Sequence, residues 1–393
     1  MNFELTEEQK LLQSTVRDFA ETRVAPVAAE LDRDARFPYE LVAEMAELGL
    51  MGIPISEEYG GAGADTVSYA IAVEELTRID SSVAITVAAH TSLGTMPIYL
   101  FGTEAQKLEW LPRLASGAAL AAFGLTVPNA GSDAGATRTR AELRDGRWIV
   151  NGAKMFITNA GTDISACVTI TAVTGDDEIS NVIVPNGAPG YEISAPMHKL
   201  GWRASDTREL SFQGARVPEG NLLGPRGAGL KQFLKILDGG RISVAAMGVG
   251  LAQGCYDLAY AYAKERKQFG KPIGAFQAVQ QKLVDIATEI EAARLLVYRA
   301  AWEKDQGRDF AQTAAMAKLY SGELSHRAAN WALQIHGGYG FMDEYAISRL
   351  YRDQKILEIG EGTNEVQRMV IARHLGLPSC GAARRRRPSR RAA

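Results

Sequence analysis

The stretch "AELRDGRWIVNGAKMFIT", residues 141–158, interrupts a chain whose other long segments read as helix. Asp145-Gly146 and Asn151-Gly152 stand between short runs rich in β-branched and aromatic residues. Both dipeptides favour the positive-φ positions of tight hairpin turns. Two further runs, "ACVTITAV" (166–173) and "NVIVP" (181–185), also read as strands. The block from about 119 to 225 is therefore expected to be a small antiparallel β domain.

Upstream, residues 1–118 carry helical signals. Thr6 is followed at the third position by Gln9, and Thr103 by Gln106. Each pair has the capping-box spacing, in which two side chains satisfy two free amide groups. "VSYAIAVEELTRI" (67–79) mixes apolar and charged positions as a packed helix does. Downstream, 226–379 holds three long helical runs joined by short loops, which predicts an up-down four-helix bundle. The order of helices, strands and bundle implies an α+β multidomain protein: an N-terminal helical domain (1–118), a middle antiparallel β domain (119–225) and a C-terminal four-helix bundle (226–379). The tail, "CGAARRRRPSRRAA" (380–393), is basic and of low complexity, so it is expected to stay disordered.

Composition narrows the function. The 393 residues are 46% hydrophobic and 23% charged, with a formal net charge of -3. That balance gives no reason to expect nucleic-acid binding. Three dispersed cysteines form no CxxC pair, and five histidines show no metal-ligand spacing. The N-terminus, "MNFELTEEQK", has no basic-then-apolar leader pattern, and no uncharged apolar run of 18 residues is expected. A cytoplasmic protein without stable membrane insertion is the expectation.

Several short motifs have both a plain and a chemical reading. "GVGLAQG" (248–254) resembles a dinucleotide loop, but it lies in a helical run without a preceding strand, so close helix packing is expected. "FGLTVPNAGSDAGA" (123–136) surrounds Ser132 with small residues; it is either a turn or a loop whose amides approach an anion. On the strand 148–160, Phe156 and Thr158 share a face, where a planar ligand could pack on one and hydrogen-bond the other. Arg266 in "ERKQFGKPIGAFQ" (265–277) is a helix cap or a phosphate ligand. "QIHGGYGF" (334–341) is a capping turn or a close approach to a ligand. In "ILEIGEGTNEV" (356–366), Gly360 and Gly362 flank Glu361, leaving bare backbone on both sides of a carboxylate.

Together these stretches, in this order, resemble the acyl-CoA dehydrogenase family of flavoproteins over about residues 3–377. The loop "LTVPNAGSD", the strand "WIVNGAKMFIT", "RKQFGKPI", "QIHGGYGF" and "YRDQKILEIGEGTNEVQR" carry the resemblance. It implies FAD as cofactor, an acyl-CoA substrate and an electron-transfer flavoprotein as acceptor. It also implies a homotetramer built as a pair of dimers. Leu125 and Thr126 are implied to contact the flavin ring, Ser132 the phosphates and pantetheine arm, Phe156 the ring face and Thr158 the region of N5. Phe123, Gly131 and Ile157 complete that set. Arg266, Phe269, Gln277, Gln334, Ile335, Gly337 and Gly338 are implied to reach the FAD of a neighbouring subunit, with Thr363 and Glu365 near the pyrophosphate. Asp238 and Arg241 are implied to hold CoA, with Gly360 and Gly362 against the thioester.

Glu361 matches the catalytic base of that family. It would remove the α-proton of an acyl thioester while a hydride leaves the β-carbon, giving the trans-2-enoyl product. Some relatives place this glutamate on the long helix, at a position that falls near Gly240 here. Only Asp238 supplies a carboxylate nearby, so Glu361 is the expected base. Val127 stands where the family usually has glutamate, which puts flavin affinity or potential in question. Many straight-chain relatives have tyrosine at 360. Glycine there implies a pocket for short or medium acyl chains, with room for a methyl branch. An acyl-CoA oxidase or flavin monooxygenase on the same scaffold is the alternative.

Overall fold

The computed structural model describes residues 3–378; the basic tail expected at 380–393 and its Cys380 lie outside the described residues. The N-terminal region contains α1 (Glu7–Phe19), α2 (Ala28–Asp34), α3 (Tyr39–Glu47), α4 (Thr66–Ile79), α5 (Ser81–Ala89), α6 (Met96–Phe101) and α7 (Glu104–Ala115). Both expected capping boxes form. Thr6 accepts from the Gln9 amide while Gln9 Oε1 accepts from the Thr6 amide, and Thr103 and Gln106 repeat the exchange.

The middle region holds β1 (Leu120–Gly124), β2 (Arg140–Arg144), β3 (Arg147–Thr158), β4 (Ser165–Gly175), β5 (Glu178–Pro185), β6 (Tyr191–Ile193), β7 (Thr207–Pro218) and β8 (Leu222–Leu223). They form one sheet in the order β6-β7-β3-β2-β4-β5-β8, with β1 added beside β4. The expectation of an antiparallel domain is corrected here: β4 runs parallel to β1 and, at one pair, to β2. Neither pair is joined by a hairpin, and a long connection is what parallel pairing requires.

Asp145-Gly146 makes the expected turn, with φ of 49° and 71° between the paired Arg144 and Arg147. Asn151-Gly152 does not turn. It lies within β3, paired with Gln213 and Phe212 of β7 at a bulge. Asn151 Oδ1 accepts from the Gly214 amide at 2.8 Å. A Cβ on Gly152 would lie 2.8 Å from Thr139 Cα, so the glycine serves a close approach.

The C-terminal helices are α8 (Gly229–Glu265), α9 (Gln277–Asp305), α10 (Ala311–His336), α11 (Ala346–Asp353) and α12 (Asn364–His374), with a two-residue hairpin β9 (Lys267–Gln268) and β10 (Lys271–Pro272) after α8. One apolar core joins α1, α3, α4 and α5 to α8, α9 and α10, while the sheet has its own core. The glycines of "GVGLAQG" pack helices, as expected. A Cβ would lie 2.8 Å from Ser321 at Gly248, 2.2 Å from the Glu74 carbonyl oxygen at Gly250 and 2.1 Å from that of Arg78 at Gly254. Buried Glu74 is matched by Arg294 at 2.8 Å, and buried Glu75 by Arg17 at 2.6 Å.

The segment Ser81–Phe101 overturns the expectation that no uncharged apolar run of 18 residues exists. It spans 21 residues without an Asp, Glu, Lys or Arg, but 83% of its apolar window is buried inside the fold. It carries the β1 anchor. His90 Nδ1 accepts from the Ala121 amide at 3.1 Å, and Nε2 bonds the Leu114 carbonyl at 2.9 Å. Burial holds the imidazole neutral by pushing its pKa down to about 4.

Candidate active site

Glu361 sits in the turn between α11 and α12. Its φ is +57°, and that of Gly362 is +87°. A left-handed conformation at a non-glycine residue costs on the order of 1–3 kcal/mol and persists only where neighbours enforce it. Here they do. Gln367 Nε2 donates to the carbonyls of Glu361 at 3.1 Å and Gly362 at 2.8 Å, and Lys318 Nζ donates to Gly362 at 2.9 Å. Thr363 then caps α12 by accepting from the Val366 amide. Gly360 has no such backbone demand, and a Cβ there would meet nothing closer than the Ile356 carbonyl at 3.4 Å. The strained position is thus the glutamate itself, together with Gly362.

This turn drives the carboxylate against α8. A Cβ built on Gly240 would lie 2.6 Å from Glu361 Oε2 and 3.2 Å from Leu93 Cδ2. Position 240 and the Glu361 carboxylate therefore reach the same space. Oε2 is buried and has no hydrogen-bond partner among the described residues. Burial raises the carboxyl pKa to about 7, opposed by Arg241 and Lys318. Lys318, in turn, is pushed down to about 8 by its own burial. Arg241 is buried, with Nη1 on Asp238 Oδ1 at 2.5 Å and Nε unpartnered. This places Arg241 beside the base.

The loop after β1 approaches the same helix. Phe123 stacks on Phe233 of α8 with centroids 3.7 Å apart. Phe233 and Gly240 are seven residues apart, roughly 10 Å along a helix. Val127 and Ala130 exchange backbone hydrogen bonds, so the substituted Val127 is a buried turn residue. The Thr126 carbonyl accepts from the Met155 amide at 2.9 Å, and the Leu125 carbonyl accepts from Lys154 Nζ at 3.0 Å. Gly131 and Ser132 are exposed beyond it, Thr158 is half-buried and Ile157 is buried. Phe156 has φ +62° and is 64% exposed. A large aromatic side chain held out on a strained backbone, next to a loop of small exposed residues, suits a planar cofactor with an anionic tail.

A second group of expected residues gathers elsewhere. Arg266 caps α8, and Phe269-Gly270 form the tip of the β9–β10 hairpin with φ of 52° and 80°. Phe269 is 92% exposed. Arg266, Ile335, Gly337 and Gly338 line one cavity of 520 Å³ with Tyr262 and Tyr339. The Arg266 guanidinium lies 5.5 Å from the Tyr339 ring centre. Gln277 opens α9, and Gln334 is exposed on α10. Glu365, by contrast, is exposed in the first turn of α12, four residues from Glu361, and so stands with the first group. From Gly240 to Arg266 is 26 residues of α8, roughly 39 Å. One chain therefore does not bring the two groups together.

Lys154, Lys318 and Gln367 escaped sequence reasoning. A signal existed for the lysines. Lys154 follows Trp148 and Val150 in the inward alternation of β3, and Lys318 lies in the stripe Ala314, Ala317, Ser321, Ser325 of α10.

The chain is similar to known proteins over nearly its whole described length. The chain matches the N-terminal, middle and C-terminal domain models of acyl-CoA dehydrogenase at residues 6–118, 122–215 and 227–376. A probable acyl-CoA dehydrogenase of Bacillus subtilis (strain 168) is 53% identical over 95% of this chain and 100% of its own length. The solved butyryl-CoA dehydrogenase of Megasphaera elsdenii superposes with a TM-score of 0.93 at 43% identity, covering 95% of this chain and all of that one. A glutaryl-CoA dehydrogenase of Mycobacterium smegmatis, solved with FADH2, superposes with a TM-score of 0.90 at 33% identity over 94% and 95% of the two chains. The chain belongs to the acyl-CoA dehydrogenase family and is an FAD-dependent oxidoreductase.

Proposed function

We propose that the protein oxidises the Cα–Cβ bond of a short- or medium-chain acyl-CoA, with Glu361 as the base, and passes the electrons to an electron-transfer flavoprotein. The observation that carries this reading is the Glu361 carboxylate: buried, its Oε2 unpartnered, poised near pH 7 against Gly240. A base for a weakly acidic C–H must be kept from water and from strong donors, and its pKa is best placed near the working pH. Glu361 takes the α-proton of the thioester. Its backbone N–H, aimed by the left-handed turn, donates to the thioester oxygen, where charge builds as the proton leaves. The charges of Arg241 and Lys318 favour the ionised carboxylate without bonding its Oε2. Bound FAD supplies the acceptor for the β-hydride. Phe156, Thr126, Thr158 and Ser132 hold it from one subunit, and Asp238 helps place the CoA arm.

Arg266, Phe269, Gln277, Gln334, Ile335 and the Gly337–Gly338 turn serve the cofactor of a neighbouring copy, and Thr363 and Glu365, next to the base in sequence, lie near the pyrophosphate end of FAD. The 39 Å span along α8 and the exposed Phe269 support a dimer as the working unit and a pair of dimers as the assembly. The lack of a side chain at Gly360, where a Cβ would meet only Ile356 at 3.4 Å, supports acceptance of a methyl branch. An acyl-CoA panel tests the reading by anaerobic loss of flavin colour. Butyryl-CoA and isobutyryl-CoA should both bleach the enzyme, and Gly360→Tyr should reduce kcat/KM for isobutyryl-CoA about 10-fold more than for butyryl-CoA. No bleaching by any acyl-CoA contradicts the activity; equal losses on both substrates contradict the role of Gly360.

A further inference from the structure

Lys154 is a fully buried side chain on β3 that no step above uses. Its Nζ donates to the Leu125 carbonyl at 3.0 Å, to Thr137 Oγ1 at 3.2 Å and to Thr171 Oγ1 at 3.0 Å. All three acceptors are neutral, and no acidic side chain among the described residues pairs with it. Burying an ammonium without a counter-ion is costly. A methionine or leucine would fill β3's inward position at no such cost, so packing alone gives no reason for a lysine.

Its surroundings point to a reason. Leu125 opens the loop that leaves β1 beside Phe123 and Phe233. The neighbouring Met155 amide bonds the Thr126 carbonyl, and the next residue is the strained, exposed Phe156. Lys154 and Met155, adjacent on β3, thus hold two successive loop carbonyls, those of Leu125 and Thr126. We propose that Lys154 is a positioning residue for the flavin: it fixes the 125–127 loop, and its charge favours the reduced cofactor. Reduction adds electrons to the ring system, and a nearby buried cation favours the form with more negative charge. Burial holds the ammonium down to about 7, so a substantial share stays charged at neutral pH.

The inference rests on the loop residues holding FAD, and it does not depend on which thioester is oxidised. The test uses the full chain of Lys154→Met and Lys154→Arg, with FAD dissociation measured by flavin fluorescence and the midpoint potential measured at pH 7. In Lys154→Met, FAD should bind at least 10-fold more weakly. Reduced flavin should lose about 10-fold more affinity than oxidised, which is about 30 mV more negative for a two-electron couple. Lys154→Arg should recover most of the potential. Unchanged affinity and potential in a folded Lys154→Met would overturn the proposal. Weaker binding with an unchanged potential would also overturn it, because it would leave Lys154 a purely structural prop. Should Lys154→Met fail to fold, Thr171→Val removes one acceptor and keeps the lysine; a several-fold change of FAD affinity together with a shifted midpoint potential supports the proposal, and an unchanged potential overturns it. A yellow protein that obeys these shifts yet bleaches with no acyl-CoA would sink the proposed substrate and leave this role standing.

Discussion

At the scale of single residues the decisive feature is a carboxylate whose environment disfavours its charge. Burial moves Glu361 up from 4.5 to about 7. The active form of a base is the ionised one, so kcat/KM should rise with pH through an apparent pKa near 7 and level off above it. A profile flat from pH 5.5 to 8.5 would contradict this. The same shift acts on stability with the opposite preference. The folded pKa exceeds the unfolded one, so this group's contribution to stability is present below about pH 4.5 and is lost as pH rises through 7. Glu361→Gln should therefore raise the thermal midpoint more at pH 8 than at pH 5, as calorimetry at the two pH values would show. The residue itself was legible in "GEGT" between its glycines. Its left-handed backbone and its contact with Gly240 were not, because those segments lie far apart in sequence. Lys154 and Lys318 were passed over because lysine is usually exposed, though both stand on inward stripes.

At the scale of elements, close contact competes with local propensity. Gly250 lies in the middle of α8, where alanine would gain about 1 kcal/mol in helix propensity. Yet its Cβ would sit 2.2 Å from the Glu74 carbonyl oxygen on α4. Overpacking of this kind costs about 1–3 kcal/mol. Gly250→Ala should therefore lower stability by up to about 2 kcal/mol in urea unfolding; a more stable variant would show that α4 yields. The same competition explains which local signals were readable. The two capping boxes and the Asp145-Gly146 turn are satisfied by neighbours within three residues. Asn151-Gly152 was misread as a turn because pairing with β7 overrides it. The mixed direction of β4 was invisible because β1 and β2 reach it through distant connections.

At the scale of the whole molecule, one apolar core unites the two helical regions and the sheet stands beside it. Ser81–Phe101 shows why hydropathy alone misleads. The run is uncharged because the sheet, α4 and α8 surround it. In the proposed site, Arg266 serves the cofactor of a second copy. Arg266→Ala should weaken FAD retention about 10-fold and shift the assembly toward smaller species in analytical ultracentrifugation. A stable monomer with full FAD content would contradict the shared site.

The central claim is that Glu361 is the base of an acyl-CoA dehydrogenation, and Glu361→Gln tests it most directly. The variant keeps the size of the side chain and removes its basicity. Mixed anaerobically with butyryl-CoA and followed at the flavin absorbance, it should stay yellow, with reduction slowed by about 100- to 10,000-fold. Bleaching within a few-fold of the unaltered enzyme would contradict the account.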